Sequence, residues 1–87
     1  MYKVSLSLKA IKDLKKIRGT SYYHKIRFAL IELESNPVSG DVKPLKSFKY
    51  VQFRKRQGNY RILFDIDYDD KIVIVHRIIH RKDAYKS

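Results

Sequence analysis

Apolar and polar residues alternate in the middle of the chain, in a pattern typical of two strands joined by a tight turn. The segment spans residues 48–64 and has Gly58-Asn59 near its centre. Side chains of a strand point alternately to opposite faces, so the length of the turn decides which residues share a face. Glycine accepts positive φ and favours a two-residue turn, which places Arg56 opposite Arg61.

This register gives the predicted hairpin one apolar face and one cationic face. The apolar face takes Val51, Phe53, Ile62, Phe64 and Ile66, and the cationic face takes Arg54, Arg56 and Arg61. A three-residue turn would mix arginines with the apolar side chains. Like charges on neighbouring strands destabilise a sheet, so their presence indicates a function. Guanidinium groups form paired hydrogen bonds to phosphate, and we therefore predict a partner that contains phosphate.

The N-terminal part of the chain predicts one strand followed by two helices. Residues 2–6 alternate in the strand pattern, and Ser7 can cap a helix that ends at Gly19. A second helix starts at Thr20 or Ser21 and stops before Pro37, because the residue before proline avoids helical geometry. The predicted buried stripes are Leu8, Ile11, Leu14 and Ile17 in the first helix and Tyr23, Ile26, Leu30 and Leu33 in the second.

The remaining segments complete a small α+β domain. Residues 36–44 contain both prolines of the chain and a glycine, which predicts an ordered loop. Residues 72–79 are apolar at nearly every position, which is typical of an interior strand. We expect a single domain over residues 1–87 with the order β-α-α-β-β-β, or one further strand. Its sheet should be antiparallel, with the two helices packed as a hairpin on one side.

Composition adds a strong positive charge to this prediction. The chain has 20 Lys+Arg against 9 Asp+Glu, a formal net charge of +11 in 87 residues. Such a charge implies an anionic partner, which can be nucleic acid, an acidic protein or a membrane surface. The chain has no cysteine, and its three histidines lack zinc-site spacing, so we expect no metal and no cofactor. No apolar run is long enough to span a bilayer, and the default location is the cytoplasm.

Further candidates for a phosphate site follow from position in the chain. The additional cationic candidates are Lys46, Lys49, Lys55 and His80. Arg81 leaves the end of the interior strand, a place where sites tend to lie, but the sequence does not fix whether it reaches the face of Arg61. For each of these residues the alternative is a solvated surface charge.

Three other sets of residues have competing interpretations. Tyr85 can pack an amphipathic tail, or it can stack on a base or carry a proton. His76 lies inside the apolar strand and is predicted to be a core histidine. The acidic residues Asp65, Asp67, Asp69 and Asp70 lack calcium-loop spacing and are predicted to be solvated carboxylates beside a turn.

Several motifs together resemble the RelE/ParE superfamily of type II toxin–antitoxin toxins, and the RelE branch in particular. The resemblance spans essentially the whole chain. It rests on Tyr2-Lys3-Val4 before a lysine-rich helix, Asn36-Pro37 with Gly40, Lys43-Pro44-Leu45-Lys46, the stretch from Arg54 to Phe64 with its GNYRILF sequence, and the ending HRKDAY from His80 to Tyr85.

The resemblance implies a ribosome-dependent, metal-independent endoribonuclease that inhibits translation. In such toxins the ribose 2′-hydroxyl of the mRNA attacks the adjacent phosphate. Arg61 and Arg81 match the family's transition-state arginines, Tyr85 matches its C-terminal tyrosine, and Arg54 joins the catalytic set. Arg56, Lys55, Lys46, Lys49 and His80 are the expected RNA-binding residues. The implied partners are a RelB-like antitoxin, the ribosome and mRNA, with operator DNA bound only through the antitoxin complex and no membrane.

The chain departs from the best-known RelE proteins at two positions. Gln52 and Arg54 stand where those proteins have lysines, one of them proposed as the general base. Arginine stays protonated and is a poor base, so Tyr85, His80 and Lys55 remain candidates for that role. Two alternatives also remain open: a ParE-like DNA gyrase poison, and a degenerate toxin that binds RNA or the ribosome without catalysis.

Overall fold

The computed structural model describes residues 1–46 and 51–84. In chain order the elements are β1 (Lys3–Leu6), α1 (Leu8–Lys16), α2 (Ser21–Ser35), β2 (Val42–Pro44), β3 (Phe53–Gln57), β4 (Tyr60–Asp67), β5 (Ile72–His80) and the short helix α3 (Arg81–Ala84). The strands form one sheet in the order β1-β5-β4-β3-β2. The predicted hairpin residue Phe48 and the site candidates Lys49 and Tyr85 lie outside the described residues.

The β3–β4 hairpin confirms the predicted register. Arg56 pairs with Arg61 across the two strands, and Phe53 pairs with Phe64. Gly58 has φ +57° and Asn59 has negative φ, which is the pattern of a type II′ turn with glycine first. The ring of Phe53 stacks on that of Phe64 with centroids 5.7 Å apart. The alternation of apolar residues therefore did set the face that each side chain occupies.

Both long helices pack on the apolar face of the sheet. The core includes Ala10 and Ile17 from α1, and Ile26, Ala29 and Leu33 from α2, against Ile62, Phe64, Ile66, Val73, Val75 and Ile78 of the sheet. Ser7 caps α1, because its Oγ accepts a hydrogen bond from the Ala10 N–H at 3.1 Å. The structure thus has the predicted α+β architecture, with helices on one side of the sheet.

The predicted buried stripe of α1 is wrong at its N-terminal end. Leu8 and Ile11 are exposed, whereas Ala10 and Asp13 are buried. Asp13 holds this orientation: its Oδ2 accepts hydrogen bonds from the Ile78 N–H at 2.9 Å and from Arg77 Nε at 2.8 Å. The bond to Asp13 raises the pKa of Arg77. The helix is therefore rotated so that a carboxylate, not Leu8 or Ile11, faces the sheet.

Three features of the sheet differ from the expectation. β1 pairs parallel to β5 at one edge of the sheet, and the two helices carry the chain from there to β2 at the other edge. Val42–Pro44 forms the edge strand β2 where a loop was predicted, and Pro44 is tolerated there because an edge strand has an unpaired side. Between Leu63 and Phe64 the register with β5 shifts by one, so His76 is an extra residue in a bulge.

In the described part of the chain, no helix combines the length and the apolar character needed to cross a membrane.

Candidate active site

Arg61 lies on the cationic face of the hairpin, yet it is only 6% exposed. Its Nη1 donates hydrogen bonds to the carbonyl oxygens of Gly58 and Tyr60, each at 3.0 Å. Its Nε is buried and has no hydrogen-bond partner among the described residues. Within the same residues no carboxylate forms a salt bridge with it. A buried cation without an anion is costly, which makes Arg61 a candidate functional group with an unused donor.

Two further arginines lie at the same end of the sheet. Arg56 is exposed and directly opposite Arg61. The Arg81 N–H donates to the carbonyl oxygen of Asn59 at 2.7 Å, which fastens the start of α3 to the hairpin turn. Ile79 pairs with Arg61, and Arg81 begins α3 directly after the end of β5, so its backbone lies beside the hairpin turn. We call Arg56, Arg61 and Arg81 the arginine cluster.

Arg54 shares the face of Arg61 but is partly neutralised. Its Nη1 lies 3.3 Å from Asp41 Oδ1 and 3.4 Å from the Asp41 carbonyl oxygen. Lys43 pairs with Arg54 across β2 and β3 and adds an exposed cation to this face. It is not among the predicted site residues, because the sequence predicts a loop over residues 36–44 and a loop does not fix the face of Lys43. Lys46 is exposed just after β2.

Lys55 does not join the arginine cluster. It pairs with Ile62 on the helix side of the sheet and is 2% exposed. Its Nζ donates to the Ser39 carbonyl oxygen at 2.9 Å and lies 3.6 Å from Glu32 Oε1. Gly40 has φ +80°, a conformation that favours glycine, and a Cβ there would come within 2.9 Å of this Nζ. Lys55 is predicted to contact RNA, whereas the structure buries its ammonium on the helix side of the sheet, away from the face of Arg61.

Gln52 fastens the open end of the hairpin through two hydrogen bonds. Its Oε1 accepts a hydrogen bond from the Ile66 N–H at 3.0 Å, and its own N–H donates to Asp65 Oδ1 at 2.8 Å. Asp65 Oδ2 also lies 2.9 Å from His76 Nε2. The prediction of a solvated carboxylate is therefore wrong for Asp65, which is half-buried and hydrogen-bonded. His76 has a hydrogen-bond partner, as predicted, but it lies at the bulge and is not in the core.

His80 lies on the helix side of the sheet, opposite Tyr60. The His80 ring meets the Tyr60 ring edge-on, with centroids 5.4 Å apart. The Tyr22 ring lies on the Tyr60 ring as well, with centroids 5.2 Å apart. Burial, and secondarily Tyr22, raise the pKa of Tyr60 above its ordinary value. His80 is thus next to the arginine cluster in sequence but faces the other side of the sheet.

Comparison with known proteins gives the class. The model of the ParE toxin family of type II toxin–antitoxin systems matches residues 4–85, and the chain belongs to this family. It is 32% identical over 85 residues to Toxin RelG of Mycobacterium tuberculosis, covering 98% of this chain and 97% of that protein.

Solved structures agree with this assignment. The toxin in the RelBE2 toxin–antitoxin complex of Mycobacterium tuberculosis is 31% identical, with a TM-score of 0.76 over 92% of this chain and 98% of that chain. The archaeal RelE–RelB complex of Pyrococcus horikoshii shows the same fold at 24% identity, with a TM-score of 0.78 over 95% of this chain and 98% of that chain. These relatives carry RelE-type names, so the chain is a RelE-like toxin, and the resemblance predicted from its motifs is confirmed.

Proposed function

We propose that this toxin is a metal-independent mRNA endoribonuclease that acts in the cytoplasm on ribosome-bound message. The guanidinium of Arg61, which is buried and has no carboxylate partner among the described residues, carries the proposal. Folding to this state leaves a desolvated cation with an unused Nε donor, beside a second arginine on the neighbouring strand. An anion supplied by the substrate would satisfy that donor and offset the repulsion between Arg56 and Arg61.

The proposed reaction is an intramolecular transfer at phosphorus. The ribose 2′-oxygen attacks the adjacent phosphorus, the bond to the 5′-oxygen breaks, and the products are a 2′,3′-cyclic phosphate and a 5′-hydroxyl. A base takes the 2′-proton, and the leaving oxygen gains a proton. Negative charge builds on the phosphorane, which Arg61 and Arg81 would stabilise, because preorganised donors act most strongly where charge develops.

The proposed general base is Tyr85, which matches the C-terminal tyrosine of the family and directly follows Ala84. Lys55 is poorly suited to this role, since its ammonium is buried on the helix side between Ser39 and Glu32. His80 faces the helix side with Tyr60. Arg54 is paired with Asp41 and would assist by charge alone.

A RelB-like antitoxin is the proposed partner that neutralises the toxin. The two solved structures described above are complexes of a toxin with its antitoxin. The net charge of +11 favours an acidic or amphipathic segment laid across the cationic face. The pair, rather than the toxin alone, would bind operator DNA.

Primer extension on mRNA held in purified ribosomes tests the proposal. Wild type should produce new stops at the A-site codon, and Arg61→Ala should not. Arg18→Ala is the matched control, because it removes an arginine from an exposed position near the end of α1. If wild type produces no stops while it is folded, the endoribonuclease proposal is wrong, and DNA cleavage by gyrase becomes the next assay.

A further inference from the structure

The outer face of α2 exposes two large apolar side chains on adjacent turns. Phe28 is 63% exposed and Ile31 is 53% exposed. Residues three apart on a helix are neighbours on its surface, so these two side chains form one patch. The opposite side of the same helix buries Ile26 and Leu33 in the core. A contiguous exposed apolar patch is typical of a surface that binds a partner.

The residues before and after this patch extend it into a seam along α2. His24 lies four residues before Phe28, and Ser35 lies four residues after Ile31, and both are exposed. Steps of four, three and four residues are those of the seam between two helices of a coiled coil. The seam is apolar only at its centre, so the contact that it can form is short and is centred between Phe28 and Ile31.

The charged residues that flank the seam are separated by sign along the helix. The basic residues Lys25 and Arg27 lie in its first half. The acidic residues Glu32 and Glu34 lie in its second half. Lys25 and Glu32 share one flank, each directly after a seam residue, and Arg27 and Glu34 share the other flank. Residues seven apart are separated by about 10 Å along a helix, too far for an ion pair within α2.

Three of these four charged side chains form no salt bridge among the described residues: Lys25, Arg27 and Glu34. The fourth, Glu32, has its Oε1 at 3.6 Å from Lys55 Nζ. Both flanks of the seam therefore offer charges to a partner, and the sign of the charge that each can bind changes halfway along the helix.

This pattern is complementary to itself when two copies of α2 meet antiparallel. A two-fold axis between Phe28 and Ile31 places each of these side chains opposite the other in the second copy. Each flank then faces the same flank of the second copy, in reverse direction. Arg27 comes within about 3 Å, measured along the helix axis, of the level of Glu34 of the second copy.

The other flank forms the same kind of pair. Lys25 comes within about 3 Å, along the axis, of the level of Glu32 of the second copy, whereas like charges stay at least about 7 Å apart in that direction. Because the two-fold axis repeats each contact, four attractive pairs form in all. Charges beside a helix seam set the choice of partner and its orientation, and here they favour a second copy of this chain.

A groove beside Ile31 gives Phe28 of the second copy a place to insert. The groove has a volume of about 220 Å³, and its α2 wall consists of Arg27, Leu30, Ile31 and Glu34. This spacing is that of the four residues that surround one side chain of the facing helix in coiled-coil packing. In the antiparallel register, Phe28 of the second copy lies at the level of Ile31, near the middle of this groove.

We propose that the toxin forms a symmetric homodimer through antiparallel packing of α2 against α2 of a second copy. Both long helices pack on the side of the sheet opposite the face of Arg56 and Arg61, so this contact does not cover the cationic face. A contact between two four-turn helices falls below the roughly 1,200 Å² of stable complexes, and we expect a weak dimer that depends on concentration. The inference does not depend on the proposed cleavage reaction.

Reversing the charges of one flank tests the contact and its register. Arg27→Glu opposes two carboxylates across the contact, and Glu34→Arg opposes two guanidinium groups. Sedimentation equilibrium of the full-length protein at low salt measures the dissociation constant. Each variant should raise it about 4- to 30-fold, because two attractive pairs become repulsive. An equimolar mixture of the two variants should recover wild-type association as a heterodimer, since positions 27 and 34 then carry opposite charges in both pairs.

Two further variants separate this contact from general effects of charge and stability. Lys12→Glu changes the net charge as Arg27→Glu does, but on the exposed side of α1, and should not weaken association. Phe28→Ser should raise the dissociation constant about 10-fold or more, because it removes the side chain at the centre of the contact. Its urea stability as a monomer should change little, since Phe28 is mostly exposed.

The proposal is overturned if wild type stays monomeric up to about 1 mM protein, or if the mixture of Arg27→Glu and Glu34→Arg associates no better than each variant alone. Weakening by Arg27→Glu but not by Glu34→Arg would also overturn it, because a parallel pair joins Arg27 to Glu32. A monomer whose α2 amides shift only when the antitoxin is added would assign this face to the antitoxin instead.

Discussion

Replacing Asp13 by alanine tests how α1 is held against the C-terminal end of β5. The Asp13 carboxylate is 6% exposed and accepts three hydrogen bonds. Two come from Arg77, at 2.8 and 3.1 Å, and one comes from the Ile78 N–H, at 2.9 Å. The substitution removes all three and leaves a backbone N–H without an acceptor.

The two kinds of bond contribute differently to the loss. A buried N–H without a partner costs about 1–3 kcal/mol. The Arg77 side chain is 39% exposed and can turn to water, so its share is about 1 kcal/mol or less. The free energy of unfolding should therefore fall by about 1–4 kcal/mol. For a domain of this size the melting temperature should drop by about 4–30 °C.

Urea unfolding followed by far-UV circular dichroism measures this change. Lys12→Ala is the control, since it removes an exposed side chain from the neighbouring position of α1. A loss below about 0.5 kcal/mol for Asp13→Ala would refute the reasoning, because it would mean that the buried carboxylate does not fix the helix.

Three further predictions concern Gly40, Lys55 and Tyr60. Gly40→Ala should lower the free energy of unfolding by about 1–3 kcal/mol in urea melts, because φ is +80° and the new Cβ meets Lys55 Nζ. Lys55→Met should cleave mRNA at the wild-type rate and cost less stability than Glu32→Ala, which strands a buried ammonium; equal losses would contradict this account. Burial raises the pKa of Tyr60, so its stabilising contribution is complete below its unfolded pKa of about 10 and is lost as pH rises through the folded value. Tyr60→Phe should accordingly lose less stability than wild type between pH 9 and pH 11 in urea midpoints, and parallel losses would count against it.

The hairpin could be predicted from sequence because its signals are local and agree with one another. Apolar alternation on both strands and glycine at the turn allow one register, which places Arg61 opposite Arg56. The burial of Lys55 could not be predicted in the same way. Alternation along β3 places Lys55 on the apolar face, but the Ser39 carbonyl oxygen and the Glu32 carboxylate that stabilise its buried ammonium come from distant segments.

Other features depend on contacts between segments far apart in the chain. The bulge at His76 reverses which residues of β5 face the helices, and no residue in this strand predicts it. The parallel pairing of β1 with β5 and the rotation of α1 around Asp13 are likewise set by tertiary partners.

The single-turnover cleavage rate of Arg61→Ala on ribosome-bound mRNA tests the central claim most directly. The rate should fall about 100- to 1,000-fold, as for other lost donors to a transition-state anion. Ribosome affinity and urea stability, measured on the same protein, should change little, and Arg18→Ala should match wild type. A rate for Arg61→Ala equal to that of wild type, or lowered only in proportion to unfolded protein, would show that the Arg61 guanidinium is not catalytic.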